Sequence, residues 1–384
     1  MNRRLPASNG SRGSTRRIAL VVASTAIGIL VPLGTAEIVL RFLPVCETLM
    51  ATPVNESNPV FHFTPNQTVT WSRGWDFSIV NRLRVNDAGY VNDQDYVQSD
   101  HRPLFAVVGD SYVEAAVVPY AETLQGRLAR LAGPDGRVYS FAASGAPLSQ
   151  YLVWAREARL RWKAQALAIV VVGNDFDESV AAYKAGRGFH YYVEDAAGEL
   201  TLRRFDYQPG WLRSVAKRSA LLKYLLLNLN ALDRLGLLWK QLPSLAASAR
   251  AERFVGNTSA TAGKLRIERS KGAIRAFLRD LVTYAGWQPD RVVFVVDGIR
   301  YPSRKPAVLA SYFVQMRTYF MAEARQSGFE VIDMDEHFFA RHPTDGKIFQ
   351  FKDDAHWNGL AHGMAANAVA ENGVFSRWRQ SFTR

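Results

Sequence analysis

Residues 105–108 form a continuous apolar, valine-rich run that stops at Gly109. A run this short reads as a strand buried on both faces. The same pattern returns at residues 137–141, 167–172, 291–296 and 330–334. Between these runs apolar residues recur at helical spacing, as over residues 121–131. Strands alternating with helices predict an α/β fold: a three-layer α/β/α sandwich with a central parallel sheet. In such sheets function gathers at the carboxyl ends of the strands. Those ends carry Ser111, the Ser144-Gly145 turn, the Gly173-Asn174-Asp175 turn and Asp297-Gly298.

The pattern differs outside this region. Residues 18–36 are uncharged and mostly apolar; Glu37 interrupts, and residues 38–40 continue to Arg41. That length suits a transmembrane helix over residues 18–40. Five arginines precede it (Arg3, Arg4, Arg12, Arg16 and Arg17), so residues 1–17 are expected to stay cytoplasmic. The rest of the chain is expected in the periplasm or outside the cell. A cleaved secretory signal also fits, with Gly34 and Ala36 before the cut. Residues 45–100 read as a β-rich lead-in, with strand-like pieces at 68–71 and 77–80 and turn residues at Asn86-Asp87-Ala88-Gly89. The main domain then spans 101–384. Its alternation breaks at an insertion over about 180–263, where a hairpin around Ala196-Ala197-Gly198 precedes an amphipathic helix over 221–242. The insertion is a candidate substrate lid, or else a packing element.

Composition narrows the function. The chain has 384 residues, 48% of them hydrophobic, enough for a large core. Its net charge of +12 comes partly from the basic tail, and the other basic residues are scattered without interleaved aromatics. No nucleic-acid partner is expected. Cys46 is the sole cysteine, which excludes an intrachain disulfide and a cysteine metal cluster. It reads as a buried or interfacial thiol.

A serine at a strand-to-helix turn is placed like a nucleophile, or it merely caps the next helix. A serine nucleophile needs a base, usually a histidine oriented by a carboxylate. Asp353 lies three residues before His356, in a loop entering an alanine-rich helix at 360–371. Asp-x-x-His alone is a weak signal; joined to a strand-end Gly109-Asp110-Ser111 it is much stronger.

With these blocks in order, the chain resembles the SGNH hydrolases, or GDSL-type esterases, of the membrane-anchored bacterial kind. Gly109-Asp110-Ser111 matches the first block, Gly145 the second, Gly173-Asn174-Asp175 the third, and Asp353 with His356 the last. Asn86 to Tyr90 looks like the Asn-x-x-Gly lead-in of membrane-tethered members. Val172 departs from the family, which has glycine there, and puts in doubt how closely substrate approaches that strand end. The resemblance implies a flavodoxin-like sheet and a catalytic triad of Ser111, His356 and Asp353. It implies an oxyanion hole from Ser111, Gly145 and Asn174, with Gly109, Asp110 and Asp175 in support. No metal or cofactor is expected. His362 is expected to be a surface or packing group, and Asp177 and Glu178 local hydrogen-bonding groups. The implied activity is hydrolysis of acyl esters, with acetyl groups on a cell-envelope polysaccharide the favoured substrate. An O-acyltransferase with a sugar acceptor, or an inactive carbohydrate-binding or assembly protein, remains open. A dinucleotide-binding domain is disfavoured, because the first turn lacks Gly-x-Gly-x-x-Gly.

Overall fold

The computed structural model describes residues 10–210, 218–231, 262–300, 306–345, 348–352 and 354–382. The chain opens with helix α1 (Gly10–Leu40) and an antiparallel pair, β1 (Gln67–Arg73) with β2 (Ile79–Val85). The main domain follows. β3 (Leu104–Gly109) leads into the short α2 (Ser111–Glu114) and then α3 (Leu124–Ala132). β4 (Arg137–Ala142), α4 (Leu148–Leu160), β5 (Ala166–Val171) and α5 (Asp175–Glu178) come next. The hairpin β6 (His190–Glu194) and β7 (Leu200–Arg204) lies where the sequence leads one to expect an insertion. After it come α6 (Lys264–Thr283), β8 (Val292–Val296), α7 (Tyr312–Gln326), β9 (Glu330–Asp333) and α8 (Met334–Asp345). α9 (Gly359–Glu371) and α10 (Gly373–Gln380) end the fold.

The central sheet is parallel, in the order β4-β3-β5-β8-β9. Every residue of β3 is buried, as the unbroken apolar run predicts. Its alternate residues face different layers. Leu104, Ala106 and Val108 pack in the core beneath α4, α6 and α7. Phe105 and Val107 pack in the core beneath α3, α9 and α10. The chain leaves β3 for one neighbour, β4, and returns to the other, β5. This reversal opens a crevice beyond the carboxyl ends of β3 and β5, where open α/β sheets take their ligands.

Several boundaries move for local reasons. α3 starts at Leu124, because Thr123 accepts the Gly126 N–H as a cap after a turn at Tyr120–Glu122. β2 starts at Ile79, because a turn with Phe77 at φ 56° precedes it. β5 stops at Val171, because the Val172 N–H turns to the Asp175 carboxylate at 2.8 Å. The expected helix at 221–242 is described only at its start, as a turn at Ala220–Lys223 followed by Tyr224–Asn228; residues 232–242 lie outside the described residues. Cys46 is buried.

Gly298, just past β8, is required by close approach: an added Cβ would overlap the backbone of Met334 and Asp335. Backbone cannot step aside as a side-chain tip can. Gly298→Ala should therefore cost about 1–3 kcal/mol as overpacking, read as a lower denaturant midpoint. An unchanged midpoint would contradict this account of β8 and α8.

Candidate active site

The site is built on the tip of β3. Gly109 ends the strand, Asp110 caps α2, and Ser111 is the first helical residue. The Asp110 carboxylate accepts the Tyr112 N–H at 2.9 Å and the Ser111 hydroxyl at 3.3 Å. Burial pushes the Asp110 carboxyl up to about 6, against the opposing pull of the Tyr112 N–H and nearby His356. Tyr112 ties this turn to the histidine loop. Its hydroxyl donates to the Ala355 carbonyl at 3.0 Å, and its ring centroid lies 5.1 Å from that of His356. Ser111 and His356, 245 apart in number (356 − 111), thus stand on adjoining segments.

The histidine loop is fixed from two sides. On one, Trp357 is fully buried and its indole N–H donates to Asp297 at 2.8 Å, at the tip of β8. Arg300 pairs with Asp297 at 3.3 Å and donates to the Tyr112 hydroxyl at 2.8 Å and to the Ala355 carbonyl. On the other side stands Arg73 of β1, which reaches Asp354 at 3.4 Å.

Asp354, two residues before His356, is the carboxylate that holds the imidazole. It accepts Nδ1 at 2.5 Å and the His356 backbone N–H at 2.9 Å. Burial would raise the Asp354 carboxyl, but the His356 side chain and backbone, with Arg73, outweigh it and hold it at about 2. With Nδ1 engaged, Nε2 is the nitrogen left for a hydroxyl. The expected orienting residue, Asp353, lies outside the described residues.

The other expected residues lie at the neighbouring strand tips. Gly145, after β4, has φ 79°, a left-handed conformation that favours glycine. Its loop is held by Glu114, which accepts the Ser144 N–H at 2.5 Å and the Ser144 hydroxyl at 3.0 Å. Asn174, after β5, donates its side-chain amide to Glu178 at 3.0 Å, and Lys184 binds the same oxygen. An amide carries two N–H donors, so this contact uses one of them. The Lys184 ammonium also lies 3.4 Å from where a Cβ on Gly145 would sit. Asp175 is buried; it accepts the Val172 N–H and the Tyr151 hydroxyl at 2.9 Å, and burial holds its carboxyl well above the usual carboxylate range. The Val172 side chain packs in the core. His362 is also in the interior; Nδ1 accepts the Leu124 N–H at 3.2 Å, and burial lowers the ring to about 3. It is a neutral packing group.

A cleft of about 300 Å³ shares Arg73, Glu114 and Ser144 with this network. Trp71, Leu227 and Asn230 form more of its wall. Three contributors escape a reading of motifs. Asp354 is hidden beside Asp353, although two aspartates in a row do signal a choice. Glu114 ends the Gly-Asp-Ser helix, a visible acid with no assigned role. Arg73 carries no local signal, because its partner lies far along the chain.

No family model matches the sequence, and no curated protein matches it. Solved structures do resemble it. A catalytic mutant of an acetylxylan esterase from Geobacillus stearothermophilus is 10% identical, with a TM-score of 0.39, over 73% of this chain and 97% of that one. A lipase/acylhydrolase from Enterococcus faecalis is 12% identical, with a TM-score of 0.37, over 72% and 96%. A lipolytic G-D-S-L family protein from Veillonella parvula is 11% identical, with a TM-score of 0.36, over 71% and 98%. At these scores the likeness carries no argument about this chain, and the geometry stands by itself.

Glu114 supplies a test of that geometry. Burial raises its carboxyl from 4.5 to about 6 despite the two Ser144 donors. A carboxyl raised on folding binds more protons in the folded state, so stability is full below pH 4.5 and falls as pH rises towards 6. The loss is about 2 kcal/mol. Glu114→Gln keeps an acceptor for the Ser144 N–H but cannot ionise. Unfolding titrations at pH 4.5 and 7 should show the variant losing about 2 kcal/mol less than wild type across that interval. Equal losses would contradict the assignment.

Proposed function

We propose that this protein is a membrane-anchored serine esterase of the SGNH type. The observation that carries the proposal is the Asp354-held His356 beside the β3 turn that presents Ser111. In this reading Nε2 of His356 takes the Ser111 proton as Oγ attacks an ester carbonyl. Asp354 stabilises the imidazolium that forms, and the proton then passes to the leaving alcohol. The backbone N–H groups of Ser111 and Gly145 receive the oxyanion. Asn174 joins them through the amide N–H that Glu178 does not engage; one such donor is worth about 3–4 kcal/mol in the transition state.

The lining of the cleft supports a substrate class. Trp71 offers an aromatic face, and Arg73, Glu114, Ser144 and Asn230 offer polar groups around it. Apolar walls with a few placed polar groups suit a sugar carrying a small acyl group. An acetylated polysaccharide of the cell envelope is the substrate that fits this reading. α1 supports the anchor: its apolar stretch Arg16–Leu40 has 25 residues, and its apolar side chains from Ile18 to Leu33 are exposed. At 1.5 Å per residue that is about 37 Å, enough to cross a hydrocarbon core of about 30 Å.

A fluorophosphonate probe should label Ser111 and leave Ser111→Ala unlabelled. Towards chromogenic acetyl esters, Asp354→Asn should lose roughly a thousandfold or more in kcat, as when the orienting carboxylate of a triad is removed. Asp353→Asn should stay within a few-fold of wild type. Full activity in Ser111→Ala would end the esterase reading. A labelled acyl-enzyme that clears only when a sugar acceptor is added would make the protein a transferase.

A further inference from the structure

The apolar run of α1 ends on a charge that has structural work. Glu37 accepts the Ser219 hydroxyl at 2.9 Å and the backbone N–H groups of Ala220 and Leu221 at 3.1 and 2.9 Å. It thereby caps the helical turn at Ala220–Lys223 from outside. Arg41, one turn later, pairs with Glu37 at 2.9 Å and donates to the Arg218 carbonyl at 3.4 Å. Leu40, Val45 and Ala220 are buried together, with Phe77, Leu221 and Tyr224 packed against them. α1 is therefore docked to the catalytic domain, not hung from loose chain.

Apolar side chains ring this joint. Phe42 is 85% exposed and Trp75 73% exposed; Leu43, Leu222 and Leu225 are exposed beside them. The Tyr224 hydroxyl donates to the Trp75 carbonyl at 2.7 Å, which fixes the tryptophan next to the Ala220 segment. Tryptophan and leucine at the end of a spanning helix, with cationic Arg41 and Lys223 close by, match the chemistry of a bilayer interface. Left in water, so much clustered apolar surface is unusual.

We propose that the face formed by Phe42, Leu43, Trp75, Leu222 and Leu225 rests in the headgroup region of the bilayer that α1 enters. The inference depends on the anchored reading above and adds to it that the catalytic domain itself sits on lipid. It also bears on substrate. Cys46 and Leu227, which line the cleft, are four residues beyond Phe42 and two beyond Leu225. Two residues of the cleft lining therefore adjoin lipid-facing residues along the chain, and the proposal extends to a preference for esters presented at the lipid surface over esters in bulk water.

The test uses the full chain in phospholipid nanodiscs. Cys46 is replaced by Ala, and one spin label is placed in turn at positions 29, 75, 222 and 160. Accessibility to oxygen and to a water-soluble nickel complex then reports depth. Ile29 lies in α1. Leu160 ends α4, near the start of β5 and so on the sheet edge away from the strand tips. The proposal expects labels at 75 and 222 to have oxygen-to-nickel ratios several-fold above that at 160. Aqueous ratios at 75 and 222 with a lipid value at 29 would overturn the seated domain and leave the anchor intact. Aqueous values at all four would overturn both. Exclusion of both reagents at 75 would mean a protein covers the face, which also overturns the lipid assignment. Quenching by brominated lipids, wild type against Trp75→Phe, keeps Cys46 in place. It should show a larger loss of emission in wild type, and equal fractional loss would count against the proposal.

Discussion

Asp297, fully buried at the tip of β8, ties the halves of the site together. It accepts the Trp357 indole and pairs with Arg300, which in turn holds Tyr112 and the Ala355 carbonyl. Two segments far apart in sequence, the Ser111 turn and the His356 loop, meet through these contacts. A buried ion pair adds little net stability against an apolar alternative, but losing one partner costs about 3–5 kcal/mol. Its value here is registry: it gives the imidazole one place to stand relative to the serine.

The other buried carboxylates act the same way at neighbouring strand tips. Asp110 caps the Ser111 turn, Glu114 fixes the Ser144-Gly145 loop, and Asp175 closes the end of β5. Each is raised by burial, so each resists ionising where it sits. Asp354 is the exception. It is buried too, yet His356 and Arg73 keep it charged. In the proposed mechanism this charge beside the imidazole stabilises the imidazolium formed when the Ser111 hydroxyl gives up its proton.

The sheet was legible because its strands are buried on both faces. An unbroken apolar run such as that of β3 needs no partner to be recognised. That Ser111, Gly145 and Asn174 stand at neighbouring strand tips was legible for a related reason: strand ends in a parallel sheet converge, so position along the chain predicts position in space. Arg73 was not legible, because its pairing with Asp354 depends on how β1 packs against the main domain. Asp354 was not singled out, because no periodicity separates neighbouring aspartates in a loop. Glu37 looked like a flaw in an apolar run, and its capping role appears only once the Ala220 segment is folded against it.

The central claim is that Asp354 holds His356. The most direct measurement is proton NMR of the full chain with nitrogen-labelled histidine. A carboxylate this close to Nδ1 should shift the Nδ1 proton far downfield. The account predicts that this resonance survives Asp353→Asn and disappears in Asp354→Asn and in His356→Gln. A resonance lost in Asp353→Asn and kept in Asp354→Asn would contradict it.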